Sequence, residues 1–307
     1  MREIAPDYYT SFRCIADKCR HSCCIGWEID VDEDSLAAYA SLPGTLGEEI
    51  RSNIVTEDGC AHFRLLEGDR CPFLNEQGLC RMILGFGEDI LCQICSDHPR
   101  FRSEFSHCTE IGLGLSCEAA AKLILTQPEP MQLAILSDDG EAGEPEEYEA
   151  YLLALRQQYF SLLTDKTWNI EERLENILDL CGTSLPEKTW PEWAEVYRSL
   201  ERLDPVWDAV LDTLSSPTKP LGTAWDPPFR NLAAYFLYRH IPAALYDGEE
   251  IARTAFSVLS VLVIRRLFAA ADTQSIETLT ELCRIYSAEI EYSTENTDAL
   301  IELLASE

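Results

Sequence analysis

Eleven of the chain's thirteen cysteines fall between Cys14 and Cys117, and only Cys181 and Cys283 follow. Four of them, Cys14, Cys19, Cys23 and Cys24, crowd into "FRCIADKCRHSCCIGW" at the spacing C-x4-C-x3-C-C. Thiols at that density leave few ways to fold: as disulfides, as metal or cluster ligands, or as small core residues. Disulfides are the weakest of these. The count is odd, and the opening "MREIAPDYYT" lacks the apolar run of a signal peptide, which predicts a cytosolic chain in a reducing compartment.

Thiolates select zinc, copper(I) or iron–sulfur clusters over hard cations. A structural zinc site usually shows two C-x2-C pairs, or one such pair with H-x3-5-H. This chain has one C-x2-C pair, Cys92–Cys95, with His98 and His107 nearby. The ferredoxin run C-x2-C-x2-C-x3-C is missing, as is C-x3-C-x2-C. Successive side chains of extended backbone point apart, so Cys23 and Cys24 do not readily share an ion. At least one thiol of the first cluster is therefore expected to meet a later one, such as Cys71 or Cys80 in "CPFLNEQGLC". Metal binding is the reading, with iron–sulfur and zinc both open. His62, His107 and His240 read as structural residues. His21 and His98, inside thiol-rich stretches, are stronger ligand candidates, while Cys181 and Cys283 fit apolar helix faces as core residues.

The rest of the chain organises around that asymmetry. Residues 1–125 are rich in turns ("EGDRCPF", "NEQGLC", "LGFGED"). "DEDSLAAYASL" predicts a helix with an acidic start, "AHFRLL" a short strand, and Ser116 a cap for a helix through "CEAAAKLIL". Residues 126–148 form an acidic Pro/Gly linker, in which "MQLAIL" predicts a short strand. From 149 to 307 apolar residues recur at three- and four-residue intervals, with Pro191, Pro205, Pro227 and Pro228 near helix starts. The predicted fold is mainly α: a loop-rich cysteine-cluster metal-binding module (1–125) packed on an all-α helical domain (149–307).

A net charge of −30 excludes a phosphate-reading basic face and hence nucleic-acid binding of that kind. It suits cationic partners, and equally a merely soluble surface. The most apolar segment, "TAFSVLSVLVIRRLFAA", is broken by Arg265 and Arg266 after about ten residues, where a membrane span needs roughly twenty. A buried helix is expected there, with no transmembrane segment. There is no G-x-S-x-G, H-E-x-x-H or P-loop, and the G-x-G of "EIGLGLSC" reads as a turn or a packing feature.

"FRCIADKCRHSCCIGWEIDVD", "CPFLNEQGLCRMILGFGEDILCQICSDHPRFR" and "LGLSCEAAAKLIL" together resemble the bacterial flagellin lysine-N-methylases. More distant zinc- or iron-chelating cysteine-cluster proteins share part of the pattern. The likeness covers roughly residues 7–126 and is specific where C-C-x-G-W, C-P-F-L and P-R fall together. It implies methyl transfer from S-adenosylmethionine to lysine ε-amines of flagellin, dependent on a [4Fe-4S] cluster, with zinc as the rival metal. The thiols at family positions are Cys14, Cys19, Cys23, Cys24, Cys71, Cys80, Cys95 and Cys117, leaving Cys60, Cys92 and Cys108 as extras. His98 stands where the resemblance implies tyrosine. A non-enzymatic metal-binding module that organises a complex, or a redox carrier, are the other classes this pattern admits. Self-association is open.

Overall fold

The computed structural model describes residues 2–140 and 143–306. The chain divides into two compact units, Arg13–Arg100 and a larger one made of Met1–Phe12 and Phe101–Glu307. This differs from the expected segments 1–125, 126–148 and 149–307. Long-range strand pairing is the reason. In the larger unit a four-stranded sheet runs in the order Arg100–Glu104, Cys108–Leu113, Arg2–Pro6, Leu133–Asp138. Arg2–Pro6 lies parallel to Cys108–Leu113, with Ile4 opposite Glu110, and antiparallel to Leu133–Asp138. Residues 101–125 and the expected "MQLAIL" strand are thereby held by the first residues of the chain.

Cys108–Leu113 is buried at every position. Two of its residues explain how closely the sheet packs. Gly112 faces the Phe101 ring, and a Cβ added there would stand 2.1 Å from Phe101 Cζ. The same ring sits 5.0 Å from the Arg239 guanidinium and close to the Tyr235 and Tyr238 rings. Gly112→Ala is therefore expected to cost about 1–3 kcal/mol through overpacking. A fall in thermal midpoint checks it, and an unchanged midpoint would show that the Phe101 ring moves aside freely. Glu110, on the same strand, forms a two-point ion pair with Arg156 in which both residues are buried.

The following helix, Glu118–Leu125, has Cys117 at its N-cap and no side-chain cap bond, so Ser116 is not the cap it was expected to be. From Glu147 onward every element among the described residues is helical. Local signals start these helices. Asn169 with Glu172, and Thr189 with Glu192, form capping boxes; Ser275 and Ser293 accept from Thr278 N and Asn296 N. Glu250–Ala270 is buried on nearly all faces and packs against Asp226–His240, Ile170–Cys181, Ile276–Tyr286 and Thr294–Ala305. It is the buried helix expected from "TAFSVLSVLVIRRLFAA", and no helix among the described residues is long and apolar enough to cross a membrane. Its three arginines find partners within the protein: Arg253 pairs with Asp247, Arg265 with Glu171, and Arg266 donates to the carbonyls of Leu214 and Ser216.

Helix Ile276–Tyr286 continues into a π turn, Ser287–Glu291, that buries the Glu291 carboxylate. It accepts from Tyr235 Oη at 3.0 Å, lies 2.7 Å from His240 Nε2 and pairs with Arg239 Nε at 3.2 Å. Burial alone would raise its pKa; Arg239 and His240 hold it below the usual carboxylate range. His240 is thus a structural histidine, as expected. Cys283 is a fully buried core residue of this unit.

Candidate metal centre

The smaller unit, Arg13–Arg100, has its own core: Ile29, Val31, Tyr39, Ile50, Phe63, Phe73 and Met82, with Cys71 and Cys92 among them. Phe63 anchors it, stacked near Tyr39 and edge-on to Phe73 at 5.0 Å. The strand Cys60–Phe63 pairs antiparallel with Ile54–Glu57 through a tight turn in which Asp58 and Gly59 both have positive φ. The expected helix appears as Glu33–Ala40. Its N-cap Asp32 does two jobs, accepting from Ser35 N at 2.9 Å and, with its other oxygen, from Gln93 N at 2.8 Å. The second bond fixes the start of the short helix Gln93–Asp97 and thereby places Cys92 and Cys95.

Each sequence motif has a local physical reason. In C-C-x-G-W, Gly26 takes φ +94°, Trp27 Nε1 donates to the Cys23 carbonyl at 2.6 Å, and Cys71 N donates to Cys24 O at 2.8 Å. The backbone of Cys24 is therefore bonded to that of Cys71. In "CPFLNEQGLC", Leu74 and Cys80 form an antiparallel bridge around a turn that the Asn75 side chain closes by accepting from Gln77 N and Leu79 N. Cys71 and Cys80 return to the same neighbourhood by this route.

Five thiols consequently share one apolar core: Cys71 and Cys92 within it, and Cys24, Cys80 and Cys95 packed against it. Their proximity shifts one another's titration. Burial pushes the Cys71 thiol up to about 12, with the charges of Cys24, Cys80 and Cys92 acting in the same direction. Burial raises Cys80 as well, again with Cys24 and Cys92 as neighbours. Cys24 is drawn down to about 7, chiefly by a hydrogen bond from the Cys23 thiol, against its own burial. A hydrogen bond with Cys95 lowers Cys92 and raises its partner.

Of the eight candidate ligands, Cys24, Cys71, Cys80 and Cys95 are brought together. Cys14 is exposed and accepts from Ala16 N, Cys19 donates to the His21 carbonyl, and Cys23, though exposed, has its thiol beside that of Cys24 at the edge of the group. Cys117 belongs to the larger unit, as does Cys108. Cys60 is exposed at the hairpin turn. Sequence reading set Cys92 aside as an extra, yet it is 1% exposed and central. Its C-x2-C spacing to Cys95 was the available signal. Among the histidines, His62 is buried 3.7 Å from Glu28, His107 lies against Glu149 and Cys108, and burial lowers His98 to about 4 beside the Trp27 ring.

Donor chemistry fits a thiophilic metal or cluster: five sulfurs from three separate segments, with the main-chain bonds that hold them in place already made. The arrangement is nonetheless open, since no three His, Cys, Asp or Glu side chains among the described residues stand in a geometry that would hold an ion.

The chain is 29% identical over 143 residues to proteins named lysine-N-methylase from Salmonella typhimurium and Salmonella choleraesuis, covering 44% of this chain and 36% of each relative. It thus matches little more than a third of those proteins' length. It is 30% identical over 142 residues to the flagellar biosynthetic protein FliU of Salmonella muenchen, covering 43% of this chain and 84% of that protein. No family model matches the chain, and no solved structure does.

Proposed function

Because the chain belongs to the family of FliU and the lysine-N-methylases, we propose that it transfers methyl groups to lysine side chains of a protein, with flagellin as the substrate and S-adenosylmethionine as donor. The observation that carries this reading is the likeness to FliU over most of that protein's length. The charge of −30 supports it in a limited way: an acidic surface draws in a lysine-bearing partner and speeds encounter. The same field opposes the chemistry, because negative potential raises the pKa of an ammonium already near 10.4. The amine must lose its proton before it attacks a methyl sulfonium, so the transfer step calls for a desolvated place where the neutral amine is favoured.

Cys24, Cys71, Cys80 and Cys95, with Cys92 beside them, are the residues that would hold a [4Fe-4S] cluster or zinc. When bound, that group would supply the cross-link that so small a unit otherwise lacks. The thiol core also favours a second reading, a metal-binding module without enzymatic activity, which would share the centre and lack methyl transfer.

Mass spectrometry of flagellin lysines separates the two. Methylated lysines are expected in the host carrying this chain and should vanish when it is deleted, returning with the wild-type copy. An unchanged pattern, with metal bound to the purified protein, would leave the binding module as the function.

A further inference from the structure

The larger unit contains a cavity of about 320 Å³, near the lower end of the range of about 300–1,000 Å³ for small-molecule pockets. Its walls come from the segment 130–133 and from helices Glu147–Thr164 and Asp226–His240. Arg230 lines it. This arginine is 9% exposed and has no carboxylate among the described residues within ion-pairing distance, although the chain carries 54 acidic residues. Its Nε and Nη2 donate to Asn231 Oδ1, and Nη2 also to the Pro128 carbonyl. Asn231 is itself held, donating to the Gln127 carbonyl at 2.8 Å. The guanidinium is therefore braced on one side, and Nη1 has no acceptor among the described residues.

A second buried arginine sharpens the imbalance. Arg173 is 7% exposed, donates Nη1 to the carbonyl of Leu163, a cavity residue, and leaves its Nε without a partner. Burial pushes the Arg230 guanidinium pKa down, the exposed Glu129 opposes that, and Arg173 adds like-charge repulsion. Two largely buried guanidinium groups with no counter-charge among the described residues are costly, whereas Arg156, Arg239 and Arg253 of the same unit are ion-paired. The remaining walls are mixed: Phe160, Leu163 and Met131 are apolar, while Gln132, Gln157 and Thr164 offer amide and hydroxyl groups.

We propose that this cavity is a binding site for a small organic carboxylate, its anionic end taken by Nη1 of Arg230 and its apolar body lying against Phe160 and Leu163. With Nε and Nη2 already engaged, the contact is end-on through one nitrogen. The apolar wall selects an organic acid over a bare inorganic anion. The site stands independently of the methyl-transfer reading.

The test uses the full chain and pairs of acids with their neutral amides: L-methionine with L-methioninamide, hexanoate with hexanamide, benzoate with benzamide. Inorganic phosphate and S-adenosylmethionine, which carries an α-carboxylate, complete the set. At least one acid should raise the thermal midpoint and bind by calorimetry while its amide does not. Arg230→Gln should weaken that binding about ten- to hundredfold. Ser161→Trp, on an exposed helix position at the cavity rim, should block it without disturbing Arg230 or Asn231. The proposal fails if no acid binds, if acid and amide bind alike, if phosphate alone binds, or if both variants bind as the wild type does. Binding of S-adenosylmethionine untouched by either variant would leave methyl transfer standing and remove the cofactor from this cavity. Acid binding that requires Arg230, in a chain that does not methylate flagellin, would do the reverse.

Discussion

Arg156→Met is expected to destabilise the larger unit by about 3–5 kcal/mol, because it leaves the Glu110 carboxylate buried without its partner. The pair is two-pronged, with Nη1 2.6 Å from Oε2 and Nη2 2.5 Å from Oε1, and the Arg156 guanidinium also lies 5.1 Å from the centre of the Tyr238 ring. Glu110→Leu alone should be similarly costly, since it strands the arginine. The double variant Arg156→Met/Glu110→Leu should recover most of the loss, because apolar groups of comparable size replace both charges at once. Urea unfolding midpoints of the wild type, both single variants and the double variant check it. A double variant whose loss equals the sum of the singles would show that the two charges do not depend on each other.

The second large effect belongs to the thiol core. Cys71→Ala and Cys95→Ala should each strip bound metal from anaerobically purified protein and unfold residues 13–100, because binding free energy in such a unit is folding free energy. Cys14→Ala, at an exposed position, should keep its metal, and Cys283→Ala should keep it too, at a packing cost of about 1–2 kcal/mol in the other unit. Cys92→Ala is the informative case: the family pattern sets it aside, whereas its burial among the other thiols predicts loss. Metal analysis together with protease resistance of the 13–100 segment reads all five. Full metal in Cys71→Ala would remove the thiol core from consideration as the centre.

Much of the helical part was legible because its signals are local. A 3.6-residue apolar period, a capping pair or a proline at a helix start acts over a few residues and needs no distant partner. Asn169–Glu172 and Thr189–Glu192 show this directly. The last helix, Thr294–Ala305, was not singled out, although Ser293 caps it. The strand Arg2–Pro6 was not foreseen for a different reason. Five residues without clear alternation become a strand only because Cys108–Leu113 and Leu133–Asp138 flank them.

By itself the sequence determined that thiols dominate the first third of the chain, that a helical bundle follows, and which family pattern the cysteines share. Those properties reside in composition, spacing and short-range periodicity. Only the tertiary structure decided which thiols meet. Cys24 joins Cys71 through a backbone hydrogen bond between segments far apart in the chain, and the Cys92–Cys95 pair, legible from its spacing, is anchored by Gln93 N donating to the distant Asp32. Tertiary structure alone also left Arg230 buried without a carboxylate partner among the described residues, since pairing between charges depends on the folded path of the whole unit and not on any stretch of residues within it.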